Sequence, residues 1–172
     1  MKSGTRIGIY AGTFDPLHKG HISFALASIK SAQLDSVYFL PERTPRHKPH
    51  ASSYASRVVT LKHALDGDVL KLLELPDHAL TIHETLPELE AMFPNSQITL
   101  LVGTDVLQHM PAWPGIDTLR DNYELVVGVR TGYDLTTINK SLHTLGFTGS
   151  RSVIVHTDQA AVSSTAIRSN SY

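Results

Sequence analysis

Five short apolar runs recur along the chain and set what it can fold into: Ile7-Gly8-Ile9-Tyr10, Val37-Tyr38-Phe39-Leu40, Ile98-Thr99-Leu100-Leu101-Val102, Leu125-Val126-Val127-Gly128-Val129 and Val153-Ile154-Val155. Each is rich in β-branched residues and lacks the polar alternation of a strand with one wet face, so each reads as a strand buried on both sides. Val69 to Leu75 reads as a weaker strand, because Lys71 and Glu74 interrupt it. Between the runs, apolar residues fall at helical spacing: Ile22, Ala25, Leu26 and Ile29; Val58, Leu61, Ala64 and Leu65; Leu86, Leu89 and Phe93. Strands alternating with helices predict an α/β fold, a doubly wound parallel sheet with helices on both faces. At 172 residues the chain suits one such domain, residues 1–172.

In sheets of this kind ligands bind beyond the C-terminal ends of the strands, near the point where strand order reverses. The chemically informative residues do follow strands: Gly12 to His21, Pro41 to Pro49, Gly103 to Asp105, and Ser163 to Arg168 shortly after the last run. Pro41 to Ser53, with three prolines and several basic or imidazole groups, is too polar for core and reads as a substrate loop. The partner these loops serve is a small molecule. Lys+Arg 15 against Asp+Glu 16 leaves a net charge of −1, without the basic field that nucleic-acid binding needs. Cys is absent, which excludes disulfides and thiolate metal sites. Ile7 to Ala11 is too short for a signal peptide or membrane span, so the expectation is a cytoplasmic protein with no membrane contact.

The decapeptide Gly12-Thr13-Phe14-Asp15-Pro16-Leu17-His18-Lys19-Gly20-His21 joins the first strand to the first helix. Gly12 lets a ligand approach the backbone, Pro16 fixes a bend, and a helix beginning near Gly20 aims unpaired N–H groups and its positive dipole end at an anion. His18 and His21 lie three apart, so one turn brings both imidazoles to one side. On spacing alone the pair fits capping or surface residues equally well. Near the other end, Ser163, Ser164 and Thr165 offer hydroxyls to cap a helix, and Arg168 one turn later can fork around phosphate oxygens. Taken alone, that run is also an ordinary N-cap.

Together the two segments resemble the signatures of the nucleotidyltransferase superfamily related to class I aminoacyl-tRNA synthetases, the HxGH phosphate loop and the SSTxIR helix start. Leu40-Pro41, Pro45-Arg46-His47-Lys48-Pro49, Arg57-Val58, Gly103-Thr104-Asp105, Pro111-Ala112-Trp113 and Val129-Arg130-Thr131-Gly132-Tyr133 are similar, in order and spacing, to bacterial nicotinate mononucleotide adenylyltransferases. The resemblance implies a Rossmann-like fold and adenylyl transfer from ATP to nicotinate mononucleotide, with release of pyrophosphate. It implies catalytic roles for His18, His21 and Arg168. ATP would be bound by Gly12, Thr13, Phe14, Gly20, Gly103, Asp105, Ser163, Ser164 and Thr165, and the pyridine substrate by Lys48, Thr81, Trp113 and Arg130. Mg²⁺ would accompany ATP, with no residue assigned as its ligand. Partners beyond ATP and a pyridine mononucleotide are not implied, and a homo-oligomer stays open.

The chain departs from the family where a Ser-Tyr-Thr stretch usually receives the pyridine carboxylate or amide. Here the residues are His78-Ala79-Leu80-Thr81, retaining only Thr81. The competing readings are another nucleotidyltransferase, acting on phosphopantetheine, glycerol phosphate or the amide mononucleotide, and a nucleotide-binding regulatory domain without catalysis. The acid is the expected substrate, because a carboxylate differs from a carboxamide by a full negative charge. Its carboxylate would meet backbone N–H groups at the helix start after Thr81.

Overall fold

The computed structural model describes residues 4–76 and 79–157. Six strands form one wholly parallel sheet: β1 (Arg6–Gly12), β2 (Ser36–Pro41), β3 (Leu70–Leu72), β4 (Gln97–Gly103), β5 (Glu124–Val129) and β6 (Ser152–His156). Their order across the sheet is β3-β2-β1-β4-β5-β6. The chain winds outward from β1 to β3, returns to place β4 on the other side of β1, and winds outward again. Strand order therefore reverses between β1 and β4, which puts the crevice beyond Gly12 and Gly103.

Each face of the sheet is covered because the strands are apolar on both. Val37 and Phe39 of β2, Leu101 of β4 and Val126 of β5 face one core, with Phe24 and Ala25 from α1 (Lys19–Ala32) and Leu61 from α2 (Tyr54–Ala64). Ile7 and Ile9 of β1, Leu100 of β4, and Leu125 and Val127 of β5 face the other. That core is closed by α3 (Thr85–Met92), α4 (Thr104–His109), α5 (Ile116–Asn122) and α6 (Leu135–Leu145), through Leu86, Leu107, Leu119 and Ile138. Full burial of each such side chain contributes roughly 1.5–3 kcal/mol, so both layers are needed to hold the strands' loops in place.

Two details depart from the sequence pattern. The inward face of α1 is Phe24, Ala25, Ser28 and Ala32, which leaves Leu26 46% exposed, because Phe24 rather than Leu26 leads the buried stripe. The interrupted run Val69 to Leu75 yields the three-residue edge strand β3, where Lys71 is tolerated at the sheet margin. Among the described residues no helix is long and apolar enough to cross a membrane.

Candidate active site

His18 is the N-cap of α1, with extended backbone (φ −140°, ψ 168°), and its own N–H donates to Nδ1 of His21 at 3.2 Å. The two imidazoles stack with centroids 3.7 Å apart and planes 24° from parallel. Phe14 holds them from below. Its ring is 2% exposed and meets those of His21 and Tyr10 edge-on, each at 5.2 Å. Phe14 thus props His21 with a side chain that is itself core.

The electrostatics of the pair follow from this packing. Burial, then the charges of His18, Arg130 and Lys48, lower the His21 pKa to about 3. Burial and Arg130 lower that of His18 as well. Both rings are therefore neutral near pH 7, and a neutral His21 that accepts at Nδ1 carries its proton on Nε2. Neither ring nitrogen of His18 has a hydrogen-bond partner among the described residues, although both are buried. A buried imidazole left without a partner at a helix N-terminus, its one N–H free to donate and Arg130 and Lys48 within electrostatic reach of the pair, suits a polyanion. A cavity of ≈ 410 Å³, lined by Leu17, His18, Lys19, Ile22, Ser23 and Ala64, opens beside His18.

Across the sheet crevice, β4 ends at Gly103 and α4 starts at once. Asp105 folds back over Gly103 so closely that a Cβ there would lie 2.5 Å from Asp105 Oδ1, which explains why Gly-x-Asp follows this strand. The Asp105 charge is felt by the Tyr10 hydroxyl, whose pKa is raised chiefly by burial and then by Asp105. Gly12 and Gly103 thus stand where the winding reverses, with Asp105 beside them.

Arg57 is the residue whose role sequence reasoning did not deduce. It is 2% exposed and its guanidinium is spent on three segments: it donates to the carbonyl of Thr13 in the loop after β1 (2.8 Å), of Glu42 at the start of the second loop (2.9 Å) and of Ser52 at its end (3.0 Å). The Ser52 N–H in turn donates to Asp15 Oδ2 at 2.7 Å, and the Glu42 N–H to the Gly12 carbonyl at 3.0 Å. The loop carrying Arg46 and Lys48 is therefore fastened at both ends to the loop after β1. The signal available in the sequence was an arginine at an otherwise inward-facing helix position, one before Val58.

A second cavity, of ≈ 270 Å³, is lined by Arg46, Leu80, Thr81, Ile82, His83, Glu84, Trp113 and Pro114. It brings Thr81 and Trp113 together, which lie far apart in sequence. The Thr81 N–H donates to Thr85 Oγ1 at 2.9 Å, and its own Oγ1 accepts from the Glu84 N–H at 3.2 Å, so Thr81 closes the turn before α3. His83 packs on the turn after Pro114, where Gly115 (φ +83°) leaves room: a Cβ there would come within 2.8 Å of the imidazole. Ser163, Ser164, Thr165 and Arg168 lie outside the described residues.

A doubly wound sheet whose first strand leads through paired histidines onto a helix N-terminus defines a nucleotidyltransferase. The chain belongs to the cytidylyltransferase-like family, whose sequence profile matches residues 9–170. It is 31% identical to the nicotinate-nucleotide adenylyltransferase of Bacillus subtilis, over 77% of this chain and 73% of that one. It is 29% identical to a protein of Endomicrobium trichonymphae described as a probable nicotinate-nucleotide adenylyltransferase, over 95% of this chain and 84% of that one. In structure it is similar to the Plasmodium falciparum nicotinic acid mononucleotide adenylyltransferase complexed with NaAD, with TM-score 0.75 and 15% identity, over 96% of this chain and 83% of that one. At that identity the likeness bears on the fold.

Proposed function

We propose that the protein joins ATP to nicotinate mononucleotide, forming the deamido dinucleotide and pyrophosphate in NAD biosynthesis. The observation that carries the reading is the open, neutral His18–His21 pair at the α1 N-terminus, facing the reversal point of a sheet that belongs to this family. A 5′-phosphate oxygen of the mononucleotide attacks the α-phosphorus of ATP. The new O–P bond forms as the bond from the α-phosphorus to the bridging oxygen breaks, and that oxygen leaves with pyrophosphate. An ionised phosphate is already a nucleophile, so the protein's work is positioning two polyanions and stabilising the added charge.

In this reading His21 Nε2–H and His18 donate to α- and β-phosphate oxygens, with the N–H groups near Gly20 and the backbone of Gly12 and Thr13 beside them. Arg168, with Ser163, Ser164 and Thr165, holds the leaving pyrophosphate, and Asp105 and Gly103 serve the adenosine side. Lys48 and Arg130 supply positive charge. Trp113 and Thr81 receive the pyridine.

Nucleotidyl transfer from ATP generally uses a divalent metal, here proposed as Mg²⁺. Among the described residues no three His, Asp or Glu side chains converge to cage a cation, so the donor set does not fit a metal held by the protein alone. Mg²⁺ is better held by phosphate oxygens and water, which it dehydrates reluctantly. No step above is routed through it. Pyrophosphate release, measured with ATP and each of nicotinate mononucleotide, nicotinamide mononucleotide, phosphopantetheine and glycerol phosphate, tests the reading. The pyridine acid should be the best substrate, and turnover confined to either non-pyridine substrate would replace the proposal.

A further inference from the structure

Acid-over-amide choice needs a group that responds to a full negative charge, and the helix start after Thr81 does not supply it through Thr81. That residue's N–H is already bonded to Thr85 Oγ1. The other polar groups lining the ≈ 270 Å³ cavity are Arg46, His83 and Glu84. Glu84 is a carboxylate, so on its own it repels an acid and can accept from an amide N–H. A cation in the wall offsets that repulsion, and Arg46 is the permanently charged cation among the lining residues.

We propose that Arg46 is a specificity-determining residue whose guanidinium pairs with the pyridine carboxylate while Trp113, in the same wall, takes the ring face. The assignment rests on the pyridine-substrate reading above. Arg46 is exposed, and none of the ion pairs among the described residues involves it. Glu42 lies within electrostatic reach of it, and the Glu42 carboxylate also accepts from the Leu80 N–H. The guanidinium thus keeps its fork of donors available at the cavity mouth. A planar fork matches a carboxylate with two parallel hydrogen bonds, a match that a carboxamide cannot accept in full because it presents its own N–H donors. Arg57 pins both ends of the loop that carries Arg46, at Glu42 and Ser52.

The test is kcat/KM for nicotinate and nicotinamide mononucleotide at saturating ATP, in the full chain and in Arg46→Gln and Glu84→Gln variants. Arg46→Gln should lower the acid-to-amide ratio by on the order of 10-fold to 100-fold, the loss expected of a charge-assisted pair. Glu84→Gln should raise the ratio, because it removes the repulsion. Titration of Trp113 fluorescence with nicotinate mononucleotide should show weaker binding to Arg46→Gln. Equal loss on both substrates would assign Arg46 to the shared 5′-phosphate and overturn the proposal, as would an unchanged ratio. Wild-type protein that releases pyrophosphate with neither pyridine substrate would instead remove the reaction itself, an outcome distinguishable from failure of Arg46 alone.

Discussion

The backbone N–H of His18, the N-cap residue of α1, donates to Nδ1 of His21 at 3.2 Å while the two rings stack 3.7 Å apart, so the helix start orients the second histidine. Capping and phosphate binding, which look like rival explanations on spacing alone, are compatible in this arrangement. Using Nδ1 as acceptor leaves Nε2–H as the donor that a phosphate oxygen can take.

Replacing His21 with Ala removes that donor together with its contacts to Phe14 and Tyr10. Loss of one transition-state donor lowers turnover on the order of 10²-fold or more. The two cores do not include His21, so far-UV circular dichroism should stay native. Near-wild-type turnover in a folded His21→Ala protein would take the loop out of the mechanism.

The same burial makes stability depend on pH. The His21 pKa falls from an ordinary 6.5 to about 3 in the folded protein. Above pH 6.5 the ring is neutral both folded and unfolded, and contributes no slope. Between pH 6.5 and about 3 the unfolded chain binds a proton that the folded one refuses, so stability falls as pH falls, by at most about 1.4 kcal/mol per pH unit for this group. Denaturant unfolding of the ligand-free protein across that window should show the slope, and His21→Ala should flatten it. Identical slopes in the two proteins would mean that His21 is protonated in the fold.

Trp113 is the chain's one Trp and is half-buried in the wall of the ≈ 270 Å³ cavity, with Thr81 and Arg46. Its emission should respond to nicotinate mononucleotide more than to ATP alone, since a stacked ring changes the environment of the indole directly. A larger response to ATP would place the adenine, rather than the pyridine, against it.

The five strong apolar runs all became strands, because a strand buried on both faces writes itself as unbroken apolarity. The weak run survived as β3, too short to have been bounded in advance. The shorter helices were less legible. α4 has six residues and α5 seven, below the length at which periodicity declares itself. α6 did carry readable signals, an Asp134 cap accepting from the N–H groups of Thr136 and Thr137, buried Ile138, Leu142 and Leu145, and Gly146 at its end. The turn from Gly12 to His21 was legible as the join of strand and helix because its signals are local. The Arg46–Thr81–Trp113 cavity was only partly so, since three separate loops build it and no local pattern announces their meeting.

Arg57 gives the sharpest test of how the loops are held. Its guanidinium satisfies the carbonyls of Thr13, Glu42 and Ser52, and it lies 2% exposed beside Asp15 and Glu42. Arg57→Ala leaves those carbonyls short of donors at the base of the site, and breaking a buried charged network costs about 3–5 kcal/mol. For a chain of this size each kcal/mol lowers Tm by roughly 2–4 °C, so a drop on the order of 10 °C is expected. Arg57→Lys retains the charge but offers a single ammonium that cannot span three carbonyls, and should fall between Ala and wild type. Because the clamp positions the loop that carries Lys48, the folded Lys variant should also lose turnover at a temperature well below its Tm. A Tm within about 2 °C of wild type in Arg57→Ala would show that the loops hold together without the clamp, and the positioning role would then pass to the Asp15–Ser52 hydrogen bond.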